Sequence, residues 1–346
     1  QRATVVTASP TVSDFVLVAP NSRHVITLGC TGFADIYSPL RVRWSDQNNY
    51  NNWTPSVSST SGEVELGGGT KLIGGVKSRN QINIWTDRSM YAMQYVGNPF
   101  IFNFRMLGSN CGLVGPHAAV DYDGRAFWMS DDNFYVFDGQ VRNLKSTIRR
   151  YVYENINEGD FDKVYAGVNS EFKEIVWLYP SASSNECDSY VLYNPEEDYW
   201  VYGTSKWSAF EDHNNIFDNT ITAGTDNYIY DNEPKDVYTA DGVAIENYLE
   251  SSSFDMDEGA EIMFVDKIIP DFTFSANGQV SFTLTTKQYP NGTETVKGPY
   301  VVQQGTEKID LRARGRQARV RVSTATSGTS WRWGAVRMAG QPDGKR

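Results

Sequence analysis

The sequence predicts an all-β protein: a β-propeller of antiparallel meander blades, with one short helix and a C-terminal strand pair. Residues 118–144 alternate turn signals with aromatic and β-branched runs, a composition typical of short strands. Units of similar design recur at roughly 45 to 55 residues, near the spacing of propeller blades. Glycine (29) and tyrosine (20) are plentiful and runs with helical periodicity are rare, which also favours strands.

The unit at residues 118–144 is the clearest blade. Turn signals at Asp123-Gly124, at 130–133 and at Asp138-Gly139 divide it into four short strands. Asp-Gly suits a hairpin turn, because glycine accepts the positive φ that a tight two-residue turn requires. A lone four-stranded meander cannot bury both of its faces, so we expect neighbours of the same kind.

The chain is predicted to have three segments. They are an N-terminal arm or incomplete first blade (1–23), a propeller-like body (24–307) and basic C-terminal strands that complete the body (308–346). Within the body, further blade-like units begin near His24, Lys71, Lys163, Thr220 and Glu261. The rival architecture is a pair of β-sandwiches, which would also produce short strands separated by turns.

Two smaller elements complete the prediction. The helix is expected at 147–157, where apolar side chains at 148, 152 and 156 share one helical face. Ser146 or Thr147 could cap it. The C-terminal strand pair is expected at 316–324 and 330–338, joined by a Ser-Gly turn.

Composition excludes several classes of function. The net charge of −11 argues against tight binding along nucleic-acid phosphates. No apolar run approaches the roughly 18 residues of a membrane span, so no membrane anchor is expected. The three cysteines lie far apart and form no CxxC pair, so we expect reduced thiols in a protein assembled in a cytosol.

The motifs that would carry catalysis or metal binding are missing from the sequence. Residues 121–124 resemble the start of a calcium loop, but the residues that follow break the pattern, so a hairpin turn is predicted instead. No nucleophile motif, phosphate loop or histidine pair at metal-ligand spacing is present. We therefore predict no catalytic residue, no cofactor and no metal, although many carboxylates leave a glycosidase pair open.

Four motifs carry a family resemblance: RWSDQ (43–47), WTD with MQY (85–95), CGLVGP (111–116) and GVNSEFKE (167–174). In order and spacing they resemble the tail hub proteins of short-tailed bacteriophages, also called packaged-DNA stabilisation proteins or tail accessory factors. The resemblance covers about Val25 to Arg346. We expect an N-terminal part to precede the numbered chain, which starts with glutamine and lacks the family's N-terminal stretch.

The resemblance implies a structural virion protein and not an enzyme. It implies a tail hub or nozzle subunit in a ring, expected to be a homohexamer, below the head-to-tail adaptor protein. A tail needle or nozzle component would close the channel, and genomic DNA would pass through the ring without sequence-specific binding. The protein would be assembled in the bacterial host cytoplasm and would end up in the virion tail. The alternatives are a propeller that binds or cleaves host-surface glycan, and a cytosolic scaffolding propeller.

Charge is distributed unevenly along the chain. Residues 186–266 hold twenty acidic residues against two lysines, and residues 308–346 hold ten basic residues against two aspartates. The sequence LRARGRQARVRV contains the predicted subunit-interface residues: Arg312, Arg314, Arg316, Arg319 and Arg321. On strands, the first three would share one face and the last two another.

Three interpretations of these arginines are open: a solvated strand face, a DNA contact, or a contact with a carboxylate-rich surface. The sequence hypothesis is the third. In a head-to-tail ring, the basic face of one subunit can meet the acidic region of the next. Guanidinium groups suit this contact, because they pair with carboxylates in bidentate fashion.

Overall fold

The computed structural model describes residues 6, 8–234, 237, 239–240, 242–255, 257–275, 278–324, 330–335 and 337–344. Within these residues the protein is all-β with antiparallel sheets, as the sequence predicts. It forms two compact units, Gln1–Asn232 and Glu233–Arg346. The boundary therefore falls inside the range 24–307 that was expected to be one body.

Unit 1 (Gln1–Asn232) consists of five consecutive meander sheets. The first has β1 (Ser13–Val18), β2 (Val25–Thr31), β3 (Tyr37–Trp44) and β4 (Gly62–Glu65). The second has β5 (Leu72–Lys77), β6 (Gln81–Thr86), β7 (Ser89–Gly97) and β8 (Ile101–Ser109). The third has β9 (Ala119–Tyr122), β10 (Arg125–Met129), β11 (Phe134–Phe137) and β12 (Val141–Asn143).

The remaining two sheets of unit 1 follow a short helical connection. α1 (Arg149–Asn155) and a 3₁₀ helix (Glu158–Lys163) precede the fourth sheet. That sheet has β13 (Tyr165–Asn169), β14 (Glu174–Tyr179), β15 (Ser189–Asn194) and β16 (Tyr199–Thr204). The fifth, in the part of the chain that the structure describes, has three strands: β17 (Trp207–Glu211), β18 (Ile221–Gly224) and β19 (Ile229–Asp231).

Both predicted Asp-Gly turns are hairpin turns, of different lengths. Asp123 and Gly124 have φ values of 52° and 75°, and they form a two-residue turn in which Tyr122 pairs with Arg125. Gly139 has a φ of 111°, but Phe137 pairs with Val141, so this turn contains three residues. The meander of residues 118–144 is thus present as predicted.

Apolar clusters join the successive sheets of unit 1. The first and second sheets share a core that includes Leu28, Trp44 and Ile84. The second, third and fourth share a larger one around Trp85, Trp128 and Trp177, and the fourth and fifth share a third, centred on Leu178 and Phe210. The first strands of the sheets also touch in series, from β1 through β5, β9 and β13 to β17. Stacked meanders are what the sequence predicts, and closure into a propeller ring stays a prediction.

The predicted helix is present but shorter than expected. α1 begins after Ile148, which occupies the N-cap position and makes no side-chain capping bond, so the prediction that Ser146 or Thr147 caps the helix is wrong. The Ser146 hydroxyl instead accepts a hydrogen bond from the Ile148 backbone N–H, one residue before the helix, at 3.3 Å. Val152 is fully buried and Ile156 is 6% exposed, as the predicted apolar face requires. The chain then turns into the 3₁₀ helix, where the Asn157 side chain accepts from Gly159 N at 3.1 Å.

Unit 2 (Glu233–Arg346) contains two sheets with one common core. One sheet has β22 (Asn247–Glu250), β23 (Phe254–Asp255), β26 (Gln279–Lys287), β27 (Thr295–Gln303) and β29 (Gln317–Thr324). The other has β24 (Met263–Ile269), β28 (Ile309–Gly315) and β31 (Arg337–Pro342). The smaller elements are a 3₁₀ helix (Asp257–Gly259) and two strand pairs, β20 (Thr239–Ala240) with β21 (Val243–Ala244) and β25 (Phe272–Phe274) with β30 (Trp331–Trp333).

The blade predicted near Glu261 is wrong, because the strands of this region belong to the two face-packed sheets. β24 pairs with β28 and β31, whereas β26 pairs with β27 and β29. Val265, Phe282 and Val320 meet in the common core. This is the sandwich arrangement that rivals the propeller at the level of sequence, here confined to unit 2.

The predicted C-terminal strand pair is also wrong. β29 pairs with β22, β23 and β26, and the segment 330–338 supplies β30 and part of β31, which pair with β25 and β24. The Ser-Gly turn at 327–328 and most of residues 1–7 lie outside the described residues. Along β29, buried side chains alternate with more exposed ones, as the sequence predicts. The strands that pair with it, however, come from distant parts of the chain.

Asp46 and a buried histidine, His24, both contact Thr60 at the end of the long loop that connects β3 to β4. Asp46 accepts hydrogen bonds from Gln47 N (2.9 Å), Thr60 N (2.8 Å) and the Thr60 hydroxyl (2.8 Å). His24 is 1% exposed, and its Nε2 lies 3.3 Å from Thr60 Oγ1. Burial lowers the pKa of His24 below its usual 6.5, and this outweighs the opposite effect of the Asp46 carboxylate.

The stability of the protein should fall as the pH drops below about 6.5. The unfolded chain binds a proton at His24 near that pH, whereas the folded chain resists it, so protonation favours unfolding. One such group contributes at most about 1.4 kcal/mol per pH unit. Denaturant unfolding from pH 7.5 to 5 should show this slope, and His24→Gln should flatten it. His213→Gln, at a histidine with 44% side-chain exposure, should keep it. Equal slopes in the two variants would contradict this account.

Candidate functional site

The predicted interface arginines lie in unit 2. On β28, exposed Arg312 and Arg314 alternate with buried Leu311 and Ala313, so these two guanidinium groups share a face as predicted. Arg316 lies just beyond the end of the strand. The period-two pattern therefore holds for two of the three residues, and the third leaves the face because the strand has ended.

Arg314 and Arg316 have partners within the chain. Arg314 Nε lies 2.5 Å from Asp343 Oδ2, and its second nitrogen donates to the Asp343 carbonyl at 3.1 Å. Arg316 donates to the backbone carbonyls of Gly259 and Ala260 at 2.8 and 3.0 Å. Arg314 is thus bound to the segment that follows β31, and Arg316 to the end of the 3₁₀ helix that precedes β24. Both guanidinium groups are engaged within unit 2.

Arg319 and Arg321 share the outer face of β29, opposite the buried side chains of Val320 and Val322. Both approach Glu250 at 3.5 Å, and Arg319 also lies 3.3 Å from Glu294. Arg321 stacks over Tyr248, with its guanidinium carbon 4.0 Å from the ring centroid.

Glu250 belongs to the acidic region 186–266 that the sequence hypothesis assigned to a neighbouring subunit. It pairs with the arginines of its own chain instead, because β22 and β29 are neighbours in one sheet. Hydrogen bonding from Lys287 and the charge of Arg319 lower the pKa of Glu294, so that carboxylate is also committed to this ladder.

Arg312 differs from the other four arginines. Its side chain is exposed on β28. Among the residues that the structure describes, it has neither an ion pair nor a hydrogen bond. If the basic face contacts another molecule, Arg312 is therefore the guanidinium that is free to do so.

Unit 1 contains a site that sequence reasoning missed: an acidic cleft of about 910 Å³. It is bordered by β1, β5, the connection 110–116, the turn after β10 and the 3₁₀ helix. The carboxylates of its lining are Asp14, Asp87, Asp131, Asp132, Glu158 and Asp162. Lys71 and Arg88 are the basic residues beside them, and Phe15 and Phe161 add two aromatic rings.

The connection 110–116 forms one wall of this acidic cleft and is held by aromatic side chains of the third sheet. Trp128 Nε1 donates to the Cys111 carbonyl at 3.0 Å, and the Tyr135 hydroxyl donates to the Asn110 carbonyl at 3.1 Å. Gly112 lies so close to the backbone of the β6–β7 turn that a Cβ would overlap the Asp87 carbonyl. Only glycine, which has no side chain, fits at position 112 without displacing the backbone of this turn.

Asp87 lines the acidic cleft next to this connection. Its carboxylate accepts from Thr70 N and from the Thr70 hydroxyl, both at 2.7 Å. Burial would raise its pKa, but these bonds outweigh burial and lower it. Asp87 is therefore a fixed anion that holds the start of β5 in place.

A second acidic cleft, of about 650 Å³, lies along the first strands of the third, fourth and fifth sheets. Its lining includes Asp121, Asp123, Glu211 and Asp212. The side of unit 1 that carries the first strands thus has two acidic depressions. Within the described residues, no cluster of three or more histidine, cysteine or carboxylate side chains is arranged to hold a metal ion.

No run of acidic residues in the sequence reveals these clefts, because their carboxylates come from separate turns and strand ends. The acidic run 186–266 lies mostly in a different part of the chain. The position of Asp131 and Asp132 in a predicted turn next to a buried strand could have indicated the larger of the two clefts. In a stack of meanders, such turns from successive sheets lie side by side.

Comparison with known proteins adds little. No protein-family model matches the chain, and no curated protein matches it. Among solved structures, a glycoside hydrolase is similar with a TM-score of 0.27 and 12% identity, over 89% of this chain and 93% of that one. At that TM-score the likeness carries no argument. In the described part of the chain, no helix is long and apolar enough to span a bilayer.

Gly112→Ala should destabilise unit 1, because the new Cβ meets backbone atoms that cannot rotate away, including Arg88 N at 2.6 Å. We expect a loss of about 1–3 kcal/mol, the usual cost of overpacking. Gly67→Ala is the matched control, since the nearest atom to its Cβ is the Tyr91 hydroxyl at 4.0 Å. Thermal unfolding of the two variants measures the difference, and equal melting temperatures would refute the close approach.

Proposed function

We propose that the protein is a structural virion subunit, the tail hub or nozzle ring of a short-tailed bacteriophage. In this role it retains packaged DNA and forms part of the ejection conduit. The sequence resemblance is the basis of the proposal. The expected partners are further copies of the chain in a ring, the head-to-tail adaptor and a tail needle or nozzle component.

One observation supports the proposal most directly: motifs that carry the resemblance are tertiary neighbours. Trp85 of the WTD motif lies 5.4 Å from Trp128, measured between ring centroids. Trp128 in turn holds Cys111 of CGLVGP, whose Gly112 packs on Asp87 of WTD. These residues build the junction between two sheets, which favours a shared architecture over a shared active site.

The charge distribution is compatible with a DNA conduit. Net charge is −11, and both clefts along the first strands are lined by carboxylates. An acidic wall repels phosphate, so DNA passing such a surface would slide without being gripped. The arginines do not reverse this, because Arg314, Arg319 and Arg321 are paired with carboxylates.

The second candidate is a protein that binds or cleaves host-surface glycan. The specific observation in its favour is the 910 Å³ acidic cleft, which combines carboxylates with Phe15 and Phe161. Carboxylate pairs are the catalytic groups of most glycosidases. Asp87 is unavailable for such a role, since Thr70 engages both of its oxygens.

Electron microscopy of the purified protein should separate the two candidates. The tail-hub proposal expects closed rings, with six-fold symmetry, and no hydrolysis of glycans from the host surface. A monomer at all concentrations that hydrolyses glycan would overturn it, provided that Asp132→Asn abolishes the activity and leaves the melting temperature unchanged.

Arg312→Glu should weaken ring assembly while leaving the monomer folded, because Arg312 has no partner in the described part of its own chain. A single exposed ion pair contributes about 0.2–1 kcal/mol, so the effect should be a few-fold at low salt and vanish at high salt. Sedimentation velocity measures it. Arg319→Glu is the contrasting variant: it places a third carboxylate beside Glu250 and Glu294 and should lower the melting temperature of unit 2. Normal assembly of Arg312→Glu at low salt would remove this residue from the interface.

A further inference from the structure

Within the described residues, the last strand of each sheet of unit 1 pairs with a strand on one side only. Proteins commonly protect such an edge against a foreign strand by charged side chains, bulges or short length. β4 carries Glu63 and Glu65, and β8 carries Arg105 and two irregularities of register. β12 and β19 have three residues each, which include Arg142 and Asp231 respectively. These four edges are therefore protected.

β16, the last strand of the fourth sheet, has none of these protections. Its six residues, YWVYGT, include no charge and no proline, and its register with β15 is regular over the whole strand. Tyr199, Val201 and Tyr202 are 41%, 40% and 48% exposed. A regular, uncharged and apolar edge of this length is the kind to which a further strand adds.

The backbone groups that β16 offers at its open edge follow from the ladder. Ser205 N, just after the strand, donates to the Asp188 carbonyl at 2.9 Å. Because bonded residues alternate along an antiparallel pair, every second residue of β16 bonds to β15 in the same way. The N–H and C=O groups of Trp200, Tyr202 and Thr204 therefore point to the open edge. No backbone group in the described part of the chain bonds to them there.

One face of β16 lies beside the segment 145–151. The Lys145 carbonyl accepts a hydrogen bond from Trp200 Nε1 at 2.9 Å. The ring of Tyr151 lies 4.3 Å from the ring of Tyr202, measured between centroids. A strand added at this edge would therefore have the segment 145–151 beside one of its two faces.

The segment 145–151 is basic. It contains Lys145, Arg149 and Arg150, all exposed, and no carboxylate. Arg150 pairs with Glu154 at 2.7 Å. Arg149 donates to the neutral backbone carbonyl of Asp132. Within the residues that the structure describes, Lys145 and Arg149 form no ion pair, so two cations beside this face are free to meet carboxylates.

We propose that β16 binds an extended segment of another protein, which adds to the fourth sheet as a fifth strand. A side chain directly opposite a residue of β16 lies on the same face of the sheet as that residue. The side chains of the segment therefore alternate between carboxylates, on the side of residues 145–151, and apolar groups, beside Tyr199 and Val201. The inference goes beyond the proposed function and holds whether or not the protein is a tail hub.

Charge favours another protein over a second copy of this chain. Two β16 strands would pair antiparallel in one sheet about a two-fold axis perpendicular to it. The segments 145–151 of both copies would then lie on the same face of that sheet, where their cations repel each other. A strand that carries carboxylates on this face is attracted by the same cations.

A synthetic peptide with the proposed alternation tests the contact. Acetyl-VEVEVEV-amide, labelled with a fluorophore and titrated with the full chain, should show saturable binding by fluorescence anisotropy. Acetyl-VKVKVKV-amide, in which lysines replace the glutamates, should bind more weakly. Lys145→Glu should narrow this difference a few-fold at low salt, and high salt should reduce the difference in the wild type, because both effects depend on exposed charges.

Thr204→Pro tests the backbone contact, because proline removes an N–H that points to the open edge and leaves the bonds to β15 in place. It should weaken binding of the glutamate peptide at least about fivefold, as expected for one lost hydrogen bond, and keep the melting temperature close to that of the wild type. Thr204→Val is the matched control: it retains the N–H and the shape of the side chain, and it should bind like the wild type.

Two results would overturn the proposal outright: no saturable binding of the glutamate peptide, or binding that Thr204→Pro leaves unchanged. Equal binding of the glutamate and lysine peptides would contradict the chemistry assigned to the segment. A dimer of the free protein that Thr204→Pro dissociates would show that a second copy occupies the edge, and this would also refute the proposal.

Discussion

A four-stranded meander with two apolar faces cannot be stable alone, and much of unit 1 follows from that constraint. Each middle sheet buries one face on the sheet before it and the other on the sheet after it. The largest of the fully buried side chains, Trp85, Trp128 and Trp177, lie in the middle of the series, where both faces are covered. Close packing of this kind also restricts the connections between sheets, because the chain has little space in which to pass from one sheet to the next. The connection 110–116 passes close to the Asp87 backbone, and Gly112 fits there because it has no side chain.

The sequence could predict those parts of the fold in which neighbours in the chain are neighbours in space. The second and third sheets of unit 1 are hairpin-connected meanders, so turn signals and alternation define them almost completely. Unit 2 obeys the same period of two, but β29 pairs with β22, β23 and β26, which are separated from it by up to about seventy residues. Alternation tells which side chains face inward and contains no information about the partner strand. A blade and a sandwich are therefore indistinguishable at that level.

The candidate sites were predictable to a similar degree. Alternation placed Arg319 and Arg321 on one face correctly, because both lie within one strand. It could not reveal that Glu250 would lie beside them, since that contact depends on the pairing of β22 with β29. The acidic cleft was not predictable from any single segment, because its carboxylates converge only when the turns of several sheets come together.

These contacts change the physical basis expected for assembly. The sequence suggested that a basic segment of one subunit attracts an acidic segment of the next, yet Arg314, Arg319 and Arg321 are paired with carboxylates of their own chain. What remains for that attraction is chiefly Arg312, worth about 0.2–1 kcal/mol as an exposed pair. Burying one valine or isoleucine side chain contributes about 1.5–3 kcal/mol. Val16 and Ile229, which are 62% and 77% exposed in the first and fifth sheets, are side chains of this kind, and burying either against another molecule would contribute more than the ion pair does. An exposed pair at Arg312 would thus govern the salt dependence of an assembly more than its strength.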